Sequence, residues 1–278
     1  MRSYTELDRQ PILNYLFHPR AEESLEKPDN SHDISVVIDD QITLGCRLFL
    51  KSTESPTLLY FHGNGETVTD YNQIAPLYGE FGLNLFVATY RGYGWSTGTP
   101  SVEAMMSDSE KVFQEFTRTL DEMEITGPVF IMGRSLGSTS AIEVCHSSPE
   151  TVKGMIIESG FADTIPLLNQ LGLNTDTLDI SEQECIGNVD KIAEIKIPTL
   201  ILHGAKDAII PVAQAERLQA FSGARAKKFF VIPGADHNSM ISSGGKHYFS
   251  AIKDFINETT GQNTWRQRRK KYRNSGDT

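Results

Sequence analysis

The stretch Gly133-Arg134-Ser135-Leu136-Gly137 joins an apolar run at residues 129–132 to a helix-like segment at residues 138–145. Gly-x-Ser-x-Gly between a strand and a helix is typical of a nucleophile elbow, a turn that carries a reactive serine. The turn is so tight that side chains two residues before and after the serine would clash, which explains the two glycines. We therefore predict that Ser135 is a nucleophile whose hydroxyl stands clear of the backbone.

A serine hydroxyl needs a base to remove its proton and an acid to orient that base. Asp207 follows a buried-strand pattern at residues 198–202, and His237 follows another at residues 228–232. In the α/β arrangement the three groups come in the order serine, acid, histidine, each on a loop after a strand. The sequence thus predicts Asp207 as the acid and His237 as the base.

Three other carboxylates compete with Asp207 for the role of the acid. Glu158 and Asp163 follow the preceding strand, whereas Asp236 adjoins His237, where neighbouring side chains rarely reach the required geometry. Arg134 lies inside the elbow, and the sequence leaves open whether it faces a substrate or pairs with a carboxylate.

Two further motifs follow strands of their own. His62-Gly63-Asn64-Gly65 follows an apolar run at residues 57–61, and Tyr90-Arg91-Gly92-Tyr93-Gly94-Trp95-Ser96 follows one at residues 85–89. With the elbow and the acid and histidine loops, these motifs resemble the α/β-hydrolase superfamily from about residue 36 to residue 257. The pattern is most similar to the compact serine hydrolases that include Bem46-like and acyl-protein thioesterase-like proteins.

This resemblance implies an α/β-hydrolase fold: a mostly parallel central sheet of about eight strands, helices on both faces and a short lid insert. It also implies an oxyanion hole formed by the backbone N–H groups of Asn64 and Leu136. Fixed N–H groups stabilise the negative charge of an acyl-transfer transition state without reorganising.

The order of elements predicts one catalytic domain over residues 34–260, between an N-terminal extension (1–33) and a basic C-terminal tail (261–278). A hairpin is expected at residues 35–38 and 42–50, the second strand alternating apolar and polar faces. Continuous apolar runs then predict parallel strands that are buried on both sides.

The lid insert is expected at about residues 160–190 and has room for one or two short helices. Ile165, Leu168 and Leu171 are apolar enough to line an acyl pocket and are the predicted substrate-binding residues. The alternative is that these side chains only dock the insert onto the core.

The 278 residues carry 26 basic and 36 acidic side chains, a net charge of −10. Six of the basic residues fall between residues 266 and 273, so the rest of the chain is strongly acidic and is not expected to bind nucleic acid. The tail is a candidate for weak contact with a membrane surface, although such a run is more often simply solvated. Without a signal peptide or membrane span, a cytoplasmic location is expected.

Three scattered cysteines do not have the spacing of a metal or redox site, so no metal and no cofactor is expected. The sequence predicts a serine hydrolase that cleaves a small carboxylic ester or thioester through an acyl-enzyme. Two alternatives are a serine peptidase of the same fold and a binding protein that has kept the fold without catalysis.

Overall fold

An eight-stranded sheet organises the chain, which the computed structural model describes over residues 3–22, 27–147 and 150–262. The strands are β1 (Ser31–Val37), β2 (Thr43–Phe49), β3 (Thr57–Phe61), β4 (Asn84–Ala88), β5 (Val129–Arg134), β6 (Val152–Glu158), β7 (Thr199–Gly204) and β8 (Lys227–Ile232). Their order across the sheet is β1-β2-β4-β3-β5-β6-β7-β8. β1 and β2 pair antiparallel with each other, β2 pairs antiparallel with β4, and the remaining neighbours are parallel.

Helices cover both faces of this sheet. They are α1 (Gln10–Leu16), α2 (Tyr71–Glu80), α3 (Val102–Glu122), α4 (Gly137–Ser147), α5 (Thr164–Gln170), α6 (Asn188–Glu194), α7 (Val212–Phe221), α8 (Met240–Gly244) and α9 (Lys246–Thr259). The apolar sides of α3, α4, α6 and α7 pack in one core, whereas α2 and α9 pack in the core on the opposite face. The buried strands β3 and β4 contribute side chains to both cores, as their continuous apolar runs predict.

The opening hairpin differs from its predicted form in two ways. β1 begins at Ser31 rather than at residue 35, because an edge strand with one exposed face can begin with polar residues. β2 is buried on both faces rather than on one. Trp95 covers Gly45, and the Arg47 guanidinium lies over the Trp95 ring, so the polar positions of β2 are also covered.

The insert between β6 and β7 contains α5 and two short 3-10 turns, Thr175–Thr177 and Glu182–Glu184. α1 lies in the predicted N-terminal extension, for which no helix was expected, and it packs against α5. Within the described ranges, no helix is both long and apolar enough to cross a membrane. The predicted basic tail falls almost entirely at residues 263–278, outside the described part of the chain.

Candidate active site

The turn after β5 holds the backbone of Ser135 in a conformation that residues other than glycine rarely adopt. Ser135 has a φ of 53°, in the left-handed region. A Cβ added to Gly133 would lie 2.2 Å from the Gly137 carbonyl oxygen, and one added to Gly137 would lie 2.2 Å from the carbonyl oxygen of Phe61. Both glycines are therefore required by backbone contacts, and the strained serine between them is the feature expected of a nucleophile elbow.

Ser135, His237 and Asp207 form a continuous hydrogen-bonded chain. The Nε2 of His237 lies 2.9 Å from the Ser135 Oγ, and its Nδ1 lies 2.8 Å from the Asp207 Oδ2. With the proton on Nδ1, the imidazole donates to Asp207 and accepts from the serine hydroxyl. The structure thus brings together three residues that are widely separated in sequence, with each at the end of a strand or on the loop that follows it.

Asp207 is held ionised by its surroundings. Its Oδ1 accepts hydrogen bonds from the backbone N–H groups of Ile209 (3.0 Å) and Ile210 (2.8 Å). Burial by itself would raise the pKa of Asp207, but the hydrogen bond from His237, the charge of His237 and the backbone N–H of Ile210 lower it below its ordinary value. A carboxylate in this state can orient the imidazole and stabilise an imidazolium.

The competing carboxylates have other partners. Glu158 accepts from the Tyr248 hydroxyl at 2.7 Å, Asp163 pairs with Arg217 at 2.6 Å, and Asp236 caps the turn that follows it. Among the four candidate acids, Asp207 is the one that forms a hydrogen bond with the His237 side chain.

The predicted oxyanion donors lie beside the serine. Asn64 and Leu136 line the same cavity as Ser135. Among the residues that the structure describes, neither backbone N–H group has a hydrogen-bond partner. α4 begins at Gly137, directly after Leu136, so its positive end adds to the field at this point. These free N–H groups are suited to bind an oxyanion.

The Asn64 side chain fixes the loop that carries one of these donors. Its Oδ1 accepts from the Tyr93 hydroxyl (2.6 Å) and from the His18 backbone N–H (2.8 Å), and its Nδ2 donates to the His18 Nδ1 (2.9 Å). Tyr93 belongs to the second strand-end motif, at residues 90–96. His18 lies in the predicted N-terminal extension, and only the tertiary structure reveals its contact with the site.

Arg134 pairs with carboxylates and also anchors the histidine loop. Its Nη1 donates to the Glu66 Oε1 at 2.6 Å, and its Nη2 donates to the His237 carbonyl oxygen at 2.8 Å and to Asn238 at 2.9 Å. Glu66 in turn accepts from the Gly63 backbone N–H at 2.6 Å. One buried guanidinium therefore links the elbow, the oxyanion loop and the loop of the base.

The charges around Arg134 are largely withdrawn from water. Glu158, 2% exposed, lies 3.6 Å from the Arg134 Nε. Burial raises the pKa of Glu158. The charge of Arg134 and the hydrogen bond from Tyr248 act to lower that pKa but do not cancel the effect of burial. Burial acts to lower the pKa of Arg134, but Glu66 and Glu158 outweigh it and raise that pKa.

A cavity of about 220 Å³ opens beside the serine hydroxyl. Its lining residues are Leu16, Asn64, Arg134, Ser135, Leu136, Leu167, Leu171, Ile209, His237 and Asn238. Of the three predicted substrate-binding residues, Leu171 belongs to this lining. Ile165 and Leu168 are outside it, because the helical turn of α5 directs Leu167 and Leu171, four residues apart, to the cavity side. Leu168 is fully buried in the core, which is the docking role considered as the alternative.

The cysteines and acidic groups do not form a metal site in the described ranges. Cys46, Cys145 and Cys185 are buried and free, and burial raises the pKa of Cys46 to about 12. No group of three or more His, Cys, Asp or Glu side chains there could hold a metal ion.

Comparison with known proteins identifies the family. Residues 53–173 match the family described as serine aminopeptidase, S33. The chain is 33% identical over 229 residues to the protein bem46 of Schizosaccharomyces pombe, covering 79% of this chain and 74% of that protein. It is 27% identical to the alpha/beta hydrolase domain-containing protein WAV2 of Arabidopsis thaliana, covering 72% of this chain and 70% of that protein. The chain belongs to the α/β-hydrolase superfamily, in its Bem46-like group.

Solved structures share the fold. The Pyrococcus furiosus esterase Pf2001 superposes with a TM-score of 0.69 at 15% identity, over 86% of this chain and 98% of that one. The Paleococcus ferrophilus monoacylglycerol lipase superposes with a TM-score of 0.59 at 19% identity, over 78% of this chain and 99% of that one. The predicted fold class is confirmed, and family membership supports a hydrolase.

Proposed function

We propose that the protein is a cofactor-independent serine hydrolase that cleaves carboxylic esters or thioesters with short acyl groups. The observation that carries this proposal is the hydrogen-bonded chain from Asp207 through His237 to Ser135, which ends at a cavity that several leucine side chains help to line. A serine that is strained, hydrogen-bonded to an imidazole and open to a cavity is arranged for nucleophilic attack.

The reaction proceeds in two halves. The Ser135 Oγ attacks the acyl carbon while His237 Nε2 takes its proton, and Asp207 stabilises the resulting imidazolium. The imidazolium then protonates the leaving alcohol or thiol as its bond to the acyl carbon breaks, leaving an acyl-serine. In the second half His237 takes a proton from water, which attacks the acyl carbon. The imidazolium then returns that proton to the Ser135 Oγ as its bond to the acyl carbon breaks, which releases the acid and restores the serine and the neutral imidazole.

The N–H groups of Asn64 and Leu136 would bind the oxyanion in both halves. Because neither has a partner among the described residues, neither must break a bond to do so. One such donor typically contributes about 2.7–4 kcal/mol to transition-state stabilisation.

The cavity volume favours a short acyl group. The cavity measures about 220 Å³. Pockets for drug-sized ligands are commonly about 300–1,000 Å³. The smaller volume favours a short acyl group over a long fatty acyl chain.

Hydrolysis of p-nitrophenyl acetate, butanoate and hexanoate tests the proposal. We expect turnover by the wild type, loss of turnover in Ser135→Ala and normal turnover in Ser242→Ala, which changes an exposed serine outside the site. Full activity of Ser135→Ala would refute the assignment of the nucleophile. Absence of turnover of oxygen esters and of the matching thioesters by the folded wild type would refute the proposed function.

Peptide hydrolysis is a second candidate, favoured by the match of residues 53–173 to the serine aminopeptidase family. An aminopeptidase must bind the ammonium group of its substrate, for which a carboxylate is the usual partner. The described lining of the cavity contains the cation Arg134 and no carboxylate. Aminoacyl p-nitroanilides assayed beside the esters separate the two activities, and faster anilide cleavage would favour the peptidase.

A further inference from the structure

The N-terminal segment forms part of the cavity wall. Leu16, the last residue of α1, lines the cavity together with Leu167 of α5 and Leu171, the residue that follows α5. Ile12 and Leu16 are 0% and 2% exposed, so α1 is docked rather than resting on the surface. The cavity therefore lies between the insert and a segment that precedes the sheet in sequence.

This segment is tied down on both sides of Leu16. Before it, the Arg9 Nη2 donates to the Leu178 carbonyl oxygen of the insert at 2.9 Å. After it, His18 bonds to the Asn64 side chain, and residues 20–22 pair with the backbone of Gly94 at 2.8 and 2.9 Å. A wall that is anchored on both sides cannot easily move aside to admit a larger group.

The lining side chains differ in how far they are exposed to solvent. Among the apolar lining residues, Ile209 is 38% exposed and marks the opening, whereas Leu136 is next to the nucleophile. Leu16 and Leu167 are 2% and 8% exposed. Both side chains are therefore packed into the protein and form a fixed part of the cavity wall.

We propose that Leu16 is a specificity-determining residue, whose side chain limits the length of the acyl group that the site accepts. The inference rests on the proposed function, because it assigns the cavity beside Ser135 to the acyl group. It adds that the limit comes from the N-terminal segment, not from the insert alone.

A chain-length series of p-nitrophenyl esters, from acetate to decanoate, tests this role. For the wild type, kcat/KM should rise by about fourfold per methylene while the added group is buried, and fall once the cavity is full. Leu16→Ala removes about three carbon atoms from the wall and should move the optimum to longer chains by about two or three methylenes. The ratio of octanoate to butanoate hydrolysis should then rise by about tenfold or more.

Leu13→Ala is the matched control, since Leu13 is a partly buried leucine of the same helix that lies outside the described lining. It should lower stability without moving the optimum. Leu16→Trp fills the space instead and should shift the optimum towards acetate, which keeps the test valid if Leu16→Ala folds poorly.

The outcomes distinguish the two proposals. Ester turnover by the wild type, with the same chain-length optimum in both Leu16 variants, would refute the role of Leu16 and leave the proposed function standing. A wild type that cleaves no member of the series and does not react with a small fluorophosphonate would refute the proposed function, and this inference with it.

Discussion

Replacing Arg134 by methionine should cost much of the stability of the fold. The guanidinium is about nine-tenths buried, and it pairs with Glu66 at 2.6 Å and with Glu158 at 3.6 Å. Methionine keeps the apolar stem but leaves both carboxylates without their cation. Removing one partner of a buried ion pair costs about 3–5 kcal/mol, against a typical total of about 5–15 kcal/mol.

The same change should lower catalysis beyond its effect on stability. Arg134 donates to the His237 carbonyl oxygen at 2.8 Å, so its loss frees the backbone that positions the imidazole. We expect kcat to fall with little change in KM, because the acyl pocket keeps most of its wall. Adding Glu66→Gln to Arg134→Met should recover part of the stability, since it removes one stranded charge.

Urea unfolding at neutral pH, combined with ester kinetics, measures both effects. Arg118→Met is the control, because Arg118 also pairs with two glutamates but at an exposed site, where little loss is expected. A loss of stability in Arg134→Met that is no larger than in Arg118→Met would contradict the role of the buried ion pairs. An unchanged kcat in Arg134→Met would contradict the role of Arg134 in positioning His237.

Three further predictions concern the elbow and the acid. Gly137→Ala places a Cβ 2.2 Å from a carbonyl oxygen and should cost about 3 kcal/mol or more in urea unfolding. Gly79→Ala should be tolerated, because its Cβ would meet only the Cδ of Lys51 at 3.9 Å, and equal losses in the two variants would contradict the clash. Asp207→Asn should lower kcat for ester hydrolysis by about 10⁴, and a drop of less than tenfold would argue against Asp207 as the acid. Because folding lowers the pKa of Asp207, its contribution to stability is present above its unfolded value of about 3.9 and is lost as pH falls through the folded pKa. The stability difference between wild type and Asp207→Asn should therefore shrink on acidification, and a difference that grows would refute it.

The parts of the site that could be predicted from sequence depend on local rules. The spacing of the glycines around Ser135 indicates a turn. The apolar runs before Asp207 and His237 indicate parallel strands, whose carboxyl ends lie at one edge of the sheet. Parallel strands then bring the three loops together. The same rules predicted the bounds of β3, at residues 57–61, to the residue.

What the sequence did not predict depends on long-range contacts. Nothing local to Glu66 indicates that it meets Arg134, 68 residues away. α1 has seven residues and no side-chain cap, so it is held by packing rather than by its own propensity. The choice between Leu168 and Leu167 as wall residues depends on the rotation of α5, which is set by its neighbours.

The reactivity of Ser135 is the central claim, and covalent labelling tests it most directly. The protein is treated with a fluorophosphonate probe, digested, and searched by mass spectrometry for the modified peptide. The arrangement of Ser135, His237 and Asp207 predicts one adduct, on Ser135, which is absent in Ser135→Ala and strongly slowed in His237→Ala. An unlabelled wild type, or an adduct on another residue that persists in Ser135→Ala, would contradict the account.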